Sequence, residues 1–401
     1  MASRAMLLLL VSQTAAAQAP APPLLWPLPR SITTGTSEAV LAAPNASAFF
    51  GPAPTALLGR AFERYARLLP SCDGPPGGAS VVSGFELRVK DAEAPGPAEF
   101  MDESYELFVP SRGAVLAKAA TQWGALRALQ TFSQIASSCT LRGAPMHVTD
   151  KPRFTHRGVM LDLARRFWPA DALFSVLDAM EHSKLNVLHL HLTDGESFMF
   201  ESVAYPQLNR AAFRQPSCTG SCETGSAASA AGEPCLYRQS MLRQLVAAAT
   251  DRGIRVVPEF DMPGHAGGWG VAFPEVTINS TCDAGFINSS WVLLNPFQDA
   301  TWRIITAVLA EATAIFPDER IHLGGDEVCW RSYNQSAEVR AAIIGAGRLL
   351  DDDGFKWVVR RFLARAQAVV ASLGRNSSVW NEAFGIYGEG NHGFQLGNAT
   401  W

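Results

Sequence analysis

From Phe154 onward the chain alternates short apolar runs with stretches of helical periodicity, and few folds accept that rhythm. Gly158–Leu163, Leu185–Leu192, Ile254–Phe260, the run entering at Ile321, Ser378–Asn381 and Phe394–Leu396 read as strands. Ala170–Ser183, Ser240–Arg252, Gln298–Phe316 and Phe355–Leu373 read as helices between them. Such alternation predicts an α/β fold, a parallel sheet covered by helices. By itself it fits both a closed barrel and an open doubly wound sheet. Polar groups at the strand ends favour the barrel, whose working residues gather at the C-terminal ends of several strands. Those groups are Asp162 and Arg165, Asp194, Glu259 with Asp261 and His265, Asp326 with Glu327, and Trp380 with Glu382.

Before that rhythm the chain is mixed. Ala56–Leu69 carries apolar residues at helical spacing, Phe85–Val89 and Tyr105–Val109 alternate as half-buried strands, and Ala114–Ala117 is a third. Thr121–Ser137 reads as a helix with Trp123, Leu126, Leu129, Phe132 and Ile135 on one side. The expectation is a small α+β domain over residues 20–152, joined at Pro145–Pro152 to a second domain over 153–401.

Residues 1–19 have the form of a secretory signal: Arg4, a brief apolar core from Met6 to Val11, then small residues with A-x-A cleavage after Ala17 or Ala19. That core is too short to cross a bilayer, which takes roughly 20 apolar residues, so no membrane span is expected. In the secretory route the seven cysteines predict disulfides, with an odd thiol over. Cys218, Cys222 and Cys235 fall in a Gly/Ser/Ala-rich stretch and read as a loop staple rather than a zinc site. Sequons begin at Asn45, Asn279, Asn288, Asn334, Asn376 and Asn398, which are candidate glycan sites. The net charge of −4, without a basic run, argues against a nucleic-acid partner.

The chemistry points to Ile321–Val328, where an apolar run ends on Gly324-Gly325 and presents Asp326 and Glu327 side by side. Glycines let a backbone turn tightly, and a carboxylate pair at a strand end does acid and base work when its surroundings separate the two pKa values. Gly388–Gly393 matches G-x-G-x-x-G, but a strand rather than a helix is expected after it, so it reads as a loop. No G-x-S-x-G or H-E-x-x-H motif occurs. His189 and His191 alternate along one strand and share a face; they read as barrel interior, and no metal or cofactor is expected. Asp194 and His265 fit a carboxylate that orients an imidazole, which in turn orients an acid.

Six ordered blocks carry a resemblance. They are Trp123–Phe132, His156–Arg165, Lys184–Asp194, Pro258–His265, His322–Val328 and Val379–Glu382. Together they resemble the family 20 glycoside hydrolases, the β-N-acetylhexosaminidases of the lysosomal or secreted eukaryotic type. The resemblance implies a (β/α)8 barrel behind the small domain, with about six of the eight strands inside this chain. It implies a retaining exo-hydrolase of terminal β-linked N-acetylglucosamine or N-acetylgalactosamine in which the substrate's acetamido group is the nucleophile. On that pattern Glu327 is the general acid and base, and Asp326 holds the acetamido N–H. Arg157 binds sugar hydroxyls, Trp380 and Trp401 wall the pocket, and Glu382 lies nearby. Asp194 and His265 support Glu327, and a Cys282–Cys329 disulfide closes the neighbouring loop. The implied partner is a glycan, with a homodimer and a lysosomal or extracellular location. The family pattern runs on for two more strands past Trp401, so an alternative reading is a product that binds N-acetylhexosamines without turning them over. One departure is Gly195, where the family often has a second acidic residue.

Overall fold

The computed structural model describes residues 24–42, 49–72, 78–212, 235–279 and 292–383. The chain divides into two compact units. One holds residues up to Glu93 together with Asp102–Pro152; the other holds Ala94–Met101 and everything from Arg153. The excursion Ala94–Met101 therefore belongs to the second unit, although the sequence places it in the first.

In the first unit five strands close on themselves in the order β1-β2-β4-β3-β5. They are β1 (Ser31–Leu41), β2 (Val81–Asp91), β3 (Tyr105–Val109), β4 (Gly113–Thr121) and β5 (Thr140–Asp150). Helix α1 (Ala56–Ala66) and helix α2 (Gln122–Ile135) accompany them. Helix α2 starts where Thr121 turns extended and its hydroxyl accepts the N–H groups of Trp123 and Gly124, a cap worth about 1 kcal/mol. Its face of Trp123, Leu126, Leu129 and Phe132 is buried, and Phe132 meets Phe49 and Phe85. A disulfide ties Cys72 to Cys139. The expected joint at Pro145–Pro152 narrows to its end: β5 runs through to Asp150, paired with β1 on one side and β3 on the other, and the units divide after Pro152. Strand β1 was not expected, because its sequence is polar and only Ala39 and Leu41 are buried.

The second unit carries five parallel strands in the order β12-β11-β8-β7-β6. These are β6 (Gly158–Asp162), β7 (Val187–Thr193), β8 (Arg255–Phe260), β11 (Arg320–His322) and β12 (Asn376–Ser378). Between them run α3 (Ala170–His182), α4 (Gln239–Thr250), α6 (Asp299–Thr313), α7 (Ala337–Gly345) and α8 (Asp352–Ser372). A short helix α5 (Gly267–Ala272) and a two-stranded hairpin of β9 (Thr277–Ile278) and β10 (Leu293–Leu294) follow β8. Strand β8 is buried at every residue, as a parallel strand covered on both faces should be. Helix α7 was not foreseen; the Ser336 hydroxyl caps it by accepting the Val339 N–H. Strand β12 ends at Ser378, earlier than expected, and Asn381–Ala383 is already a helical turn. The expected strand at Phe394–Leu396 and the signal segment lie outside the described residues. No helix among the described residues is long and apolar enough to cross a membrane.

Candidate active site

The Gly-Gly turn after β11 is shaped by what lies beneath it. Gly324 (φ 67°) and Gly325 (φ 91°) take left-handed conformations that favour glycine. A β-carbon on Gly324 would collide with the Asp261 carboxylate, and the Gly325 N–H donates to Asp261 Oδ1 at 3.0 Å. The turn is thereby clamped onto the end of β8. It lifts Asp326, 28% exposed, and Glu327, 55% exposed, side by side. The Glu327 N–H donates to Glu382 Oε2 at 2.8 Å. Glu327 (φ 46°) and His265 (φ 48°) are themselves left-handed, which costs each about 1–2 kcal/mol. Two strained non-glycine residues meeting at one place is the pattern of a working site.

Below the turn, register builds a cluster. His191 and His322 both pair with Glu259, so three neighbouring strands present these side chains on one face, with His189 two residues back. Glu259 is fully buried. Its Oε2 lies 2.7 Å from His189 Nε2 and 2.9 Å from His191 Nδ1. Its Oε1 lies 3.2 Å from His322 Nδ1 and accepts the Trp380 indole N–H at 2.8 Å. From His191 the contacts continue outward. His191 Nε2 is 2.8 Å from Asp194 Oδ2, and His265 Nδ1 is 3.1 Å from Asp194 Oδ1. His265 Nε2 then stands 3.4 Å from Glu327 Oε2 and 3.9 Å from Asp326 Oδ2. Arg165 reaches Asp194 at 2.7 Å, Asp162 at 2.9 Å and Glu196 at 3.5 Å.

The charges follow from these contacts. Burial works to raise the Glu259 carboxyl, but His322, His189 and His191 together hold it well below the usual carboxylate range. Burial disfavours the His191 imidazolium, yet hydrogen bonding to Asp194 and Glu259 pushes it up to about 11. Burial likewise opposes Asp194 ionisation, and His191, His265 and Arg165 hold it far below its ordinary value. Against burial, the hydrogen bond to Asp194 brings His265 up to about 9. Asp261 goes the other way: burial, with Asp326 and Glu259 nearby, pushes it well above the carboxylate range, so it keeps its proton. His189 is lowered by burial, with Glu259 opposing.

Donor atoms of His189, Glu259 and His322 lie within 4.8 Å of one another, as do those of His191, Asp194 and Asp261 and of Asp261, His265 and Asp326. Contacts of 2.7–3.2 Å around Glu259 have the lengths of carboxylate–imidazole pairs, while Glu259 Oε2, His189 Nε2 and His191 Nδ1 lack the angles of a hydrogen bond.

Of the residues expected at the site, Asp326, Glu327, Asp194, His265, Trp380 and Glu382 come together. Arg157 does not. It precedes β6, at the opposite end of the sheet, with its guanidinium on the carbonyls of Lys184 (2.8 Å) and Phe154 (2.7 Å). Arg165, just past the C-terminal end of β6, is the arginine at the site. Trp401 and Cys282 lie outside the described residues; Cys329 is disulfide-bonded, as is the buried Cys235, while Cys218 and Cys222 lie outside. Asn279, Asn334 and Asn376 are exposed; Asn45, Asn288 and Asn398 lie outside the described residues. The sequence places Glu259 and Asp261 among the polar groups at strand ends without assigning either a role, and does not single out His322. Their signal was present in two histidines alternating on one strand and an acidic residue inside an apolar one.

Known proteins share this arrangement of sequence and fold. The profile of glycosyl hydrolase family 20, catalytic domain, matches residues 154–393, and a beta-acetyl hexosaminidase like profile matches residues 25–135. The beta subunit of beta-hexosaminidase from Felis catus is 32% identical over 396 residues, 95% of this chain and 70% of that one. Beta-hexosaminidase 1 of Arabidopsis thaliana is 30% identical over 400 residues, 92% of this chain and 67% of that one. A family 20 exo-β-N-acetylglucosaminidase from Vibrio harveyi, solved with N-acetylglucosamine, superposes with a TM-score of 0.70 at 25% identity, over 92% of this chain and 55% of that one. The chitobiase of Flavobacterium johnsoniae gives a TM-score of 0.69 at 23% identity, over 89% and 52%. The chain spans about half the length of these two solved structures.

Proposed function

The chain belongs to glycosyl hydrolase family 20, and from that premise we propose that it removes terminal β-linked N-acetylhexosamine from glycans with retention and by substrate assistance. The observation that carries the reading is the half-exposed Glu327 beside Asp326, lifted on a glycine turn and backed by the His265–Asp194 pair. In this reading the five parallel strands are part of a (β/α)8 barrel with its active face at their C-terminal ends. In the same reading the second unit, which adds Ala94–Met101 to residues 153–401, is the catalytic domain, and the rest of residues 20–152 form the accessory domain.

Glu327 protonates the glycosidic oxygen as the C1–O bond breaks. The substrate's acetamido oxygen forms a bond to C1 from the other face, giving an oxazolinium. Asp326 accepts the acetamido N–H and offsets the developing positive charge. Glu327, now a carboxylate, takes a proton from water as the water's oxygen bonds to C1 and the oxazolinium opens. Arg165 replaces Arg157 as the donor fork for sugar hydroxyls. Trp380, and Trp401 on the family pattern, stack on the apolar face of the pyranose. Glu382 holds the Glu327 backbone at 2.8 Å. The relatives support a place in the secretory route, lysosomal or extracellular, and a homodimer is part of the proposal. Neither reaction step calls for a cofactor.

The test is release from a chromogenic β-N-acetylglucosaminide by the 401-residue chain. Release that disappears in Glu327→Gln and is absent with the matching β-glucoside supports the reading. A folded chain that binds N-acetylglucosamine without releasing it would replace this reading with a binding protein.

A further inference from the structure

The buried carboxylate beneath the site has no part in the two steps above. We propose that Glu259 is a positioning residue: it anchors the Trp380 wall and holds the imidazole line that ends at Glu327. The proposal deepens the hydrolase reading and rests on it for its kinetic arm only.

A carboxylate with no exposed surface loses its hydration, an expense of several kcal/mol unless partners compensate. In most cores an arginine fork supplies that compensation, as Arg127 does for Glu103 in the first unit at 2.7 Å. The described neighbours of Glu259 are instead one indole N–H and three imidazoles, of which His322 also accepts the Gly324 N–H at the same nitrogen, at 3.1 Å. An imidazole flanked by carboxylates on both ring nitrogens, as His191 is by Glu259 and Asp194, serves both only as imidazolium. Charge then alternates outward through Glu259, His191, Asp194 and His265 to Glu327.

The groups facing His191 are Glu259 and Asp261 from β8 and its end, Asp162 paired with it on β6, His322 on β11, His189 on its own strand, and Asp194 beyond it. Two of these, Asp194 and Glu259, touch its ring nitrogens. The second function of Glu259 is geometric. Trp380 lies past β12, held by its backbone N–H on Gly324 O at 2.9 Å and by its indole N–H on Glu259 at 2.8 Å. Its ring packs on His322 and His189, with centroids 4.6 and 5.6 Å away. One carboxylate thus sets both a pocket wall and the charge line behind the acid.

Two variants separate the two roles. Glu259→Gln keeps an acceptor for Trp380 and removes the charge; the alkaline limb of kcat/KM should move down by about one pH unit or more, with KM changed by less than about threefold. Glu259→Leu removes both, and KM should rise by about tenfold in addition, the effect of one buried donor left unpaired. An unmoved alkaline limb in Glu259→Gln, or an unchanged KM in Glu259→Leu, overturns the corresponding role. A purely structural residue would lower the melting temperature and leave the limb in place.

The unaltered chain gives a test that needs no activity. Among the eight histidines, ring-proton NMR titration should find two that stay protonated above pH 8. Replacing His191 and His265 singly with Gln assigns them. Eight ordinary midpoints near pH 6.5 would overturn the proposal even if the chain is an active hydrolase. Conversely, two high midpoints in a chain that releases no sugar would sustain the charge line while the hydrolase reading fails.

Discussion

The two ends of the parallel sheet are built from the same kinds of residue and do opposite things with them. At the N-terminal end charges are closed one against one. Arg255 grips Asp318 through two bonds of 2.7 and 2.9 Å, both side chains buried, and Arg320 pairs with Glu99 at 2.7 Å. Arg157 spends its donors on main-chain carbonyls. At the C-terminal end the carboxylates Glu259, Asp194, Asp326 and Glu327 share, among the described residues, four imidazoles and a single arginine side chain. Guanidinium forks keep their charge at any physiological pH, whereas imidazoles sit near their switching point and move with their neighbours. Fixed pairs suit a floor that must not change; shared protons and left-handed residues suit a face that does chemistry.

The sharpest way to break that comparison is to remove charge from each end. Asp326→Asn and Glu327→Gln should each lower kcat by about 10²–10⁴-fold, with the melting temperature held or raised. Comparable activity loss with equal loss of stability would place these carboxylates in the scaffold instead. At the other end, Arg255→Met leaves Asp318 buried without a cation and should cost about 3–5 kcal/mol in chemical denaturation. The kcat of the surviving folded fraction should stay near the parent value; a large fall in it would join the two ends functionally.

A smaller effect tests the arginines that flank β6. Arg165→Gln should raise KM by about 10–100-fold through loss of a charge-assisted donor pair, while Arg157→Gln should change it by less than about twofold. The reverse pattern in Michaelis–Menten measurements would restore Arg157 to the sugar.

That pair of arginines also shows what a sequence of this kind makes legible. Helix and strand alternation was readable because helical and strand periods differ, and α3, β7, α4, β8, α6 and α8 lie near where the pattern put them. The glycine turn was readable because Asp and Glu seldom follow an apolar run and two glycines without a purpose. Strand β1 was hidden by its polar face, and Pro145 made β5 resemble a linker. Arg157 and Arg165 stand eight residues apart, and only strand direction separates them. A residue before a barrel strand lies at the stability end, and one after it lies at the active face. The role of Glu259 was hidden more deeply: its neighbours come from two other strands and a loop, and only register brings them together.

The smallest effect bears on the imidazoles as a source of stability. His265 is raised from 6.5 to about 9 in the folded protein. A raised histidine contributes stability that is complete below about pH 6.5 and is lost as pH climbs through the folded value. His191, pushed up to about 11, extends the same trend to higher pH. Asp194 acts in the opposite window: its carboxyl is depressed, so its contribution is present above its unfolded value and is lost in acid. Between pH 7 and 8.5 the histidine term alone should remove on the order of 1–2 kcal/mol, a fall of about 3–5 °C in melting temperature. The Arg255–Asp318 pair contains no imidazole, so the Arg255→Met chain should show the same slope from a lower start. Replacing His265 with Gln should reduce the slope by about half over that interval and leave the His191 part. A parent chain whose melting temperature is level from pH 7 to 8.5 would mean that His265 is not held charged, and the two ends of the sheet would then differ in geometry alone.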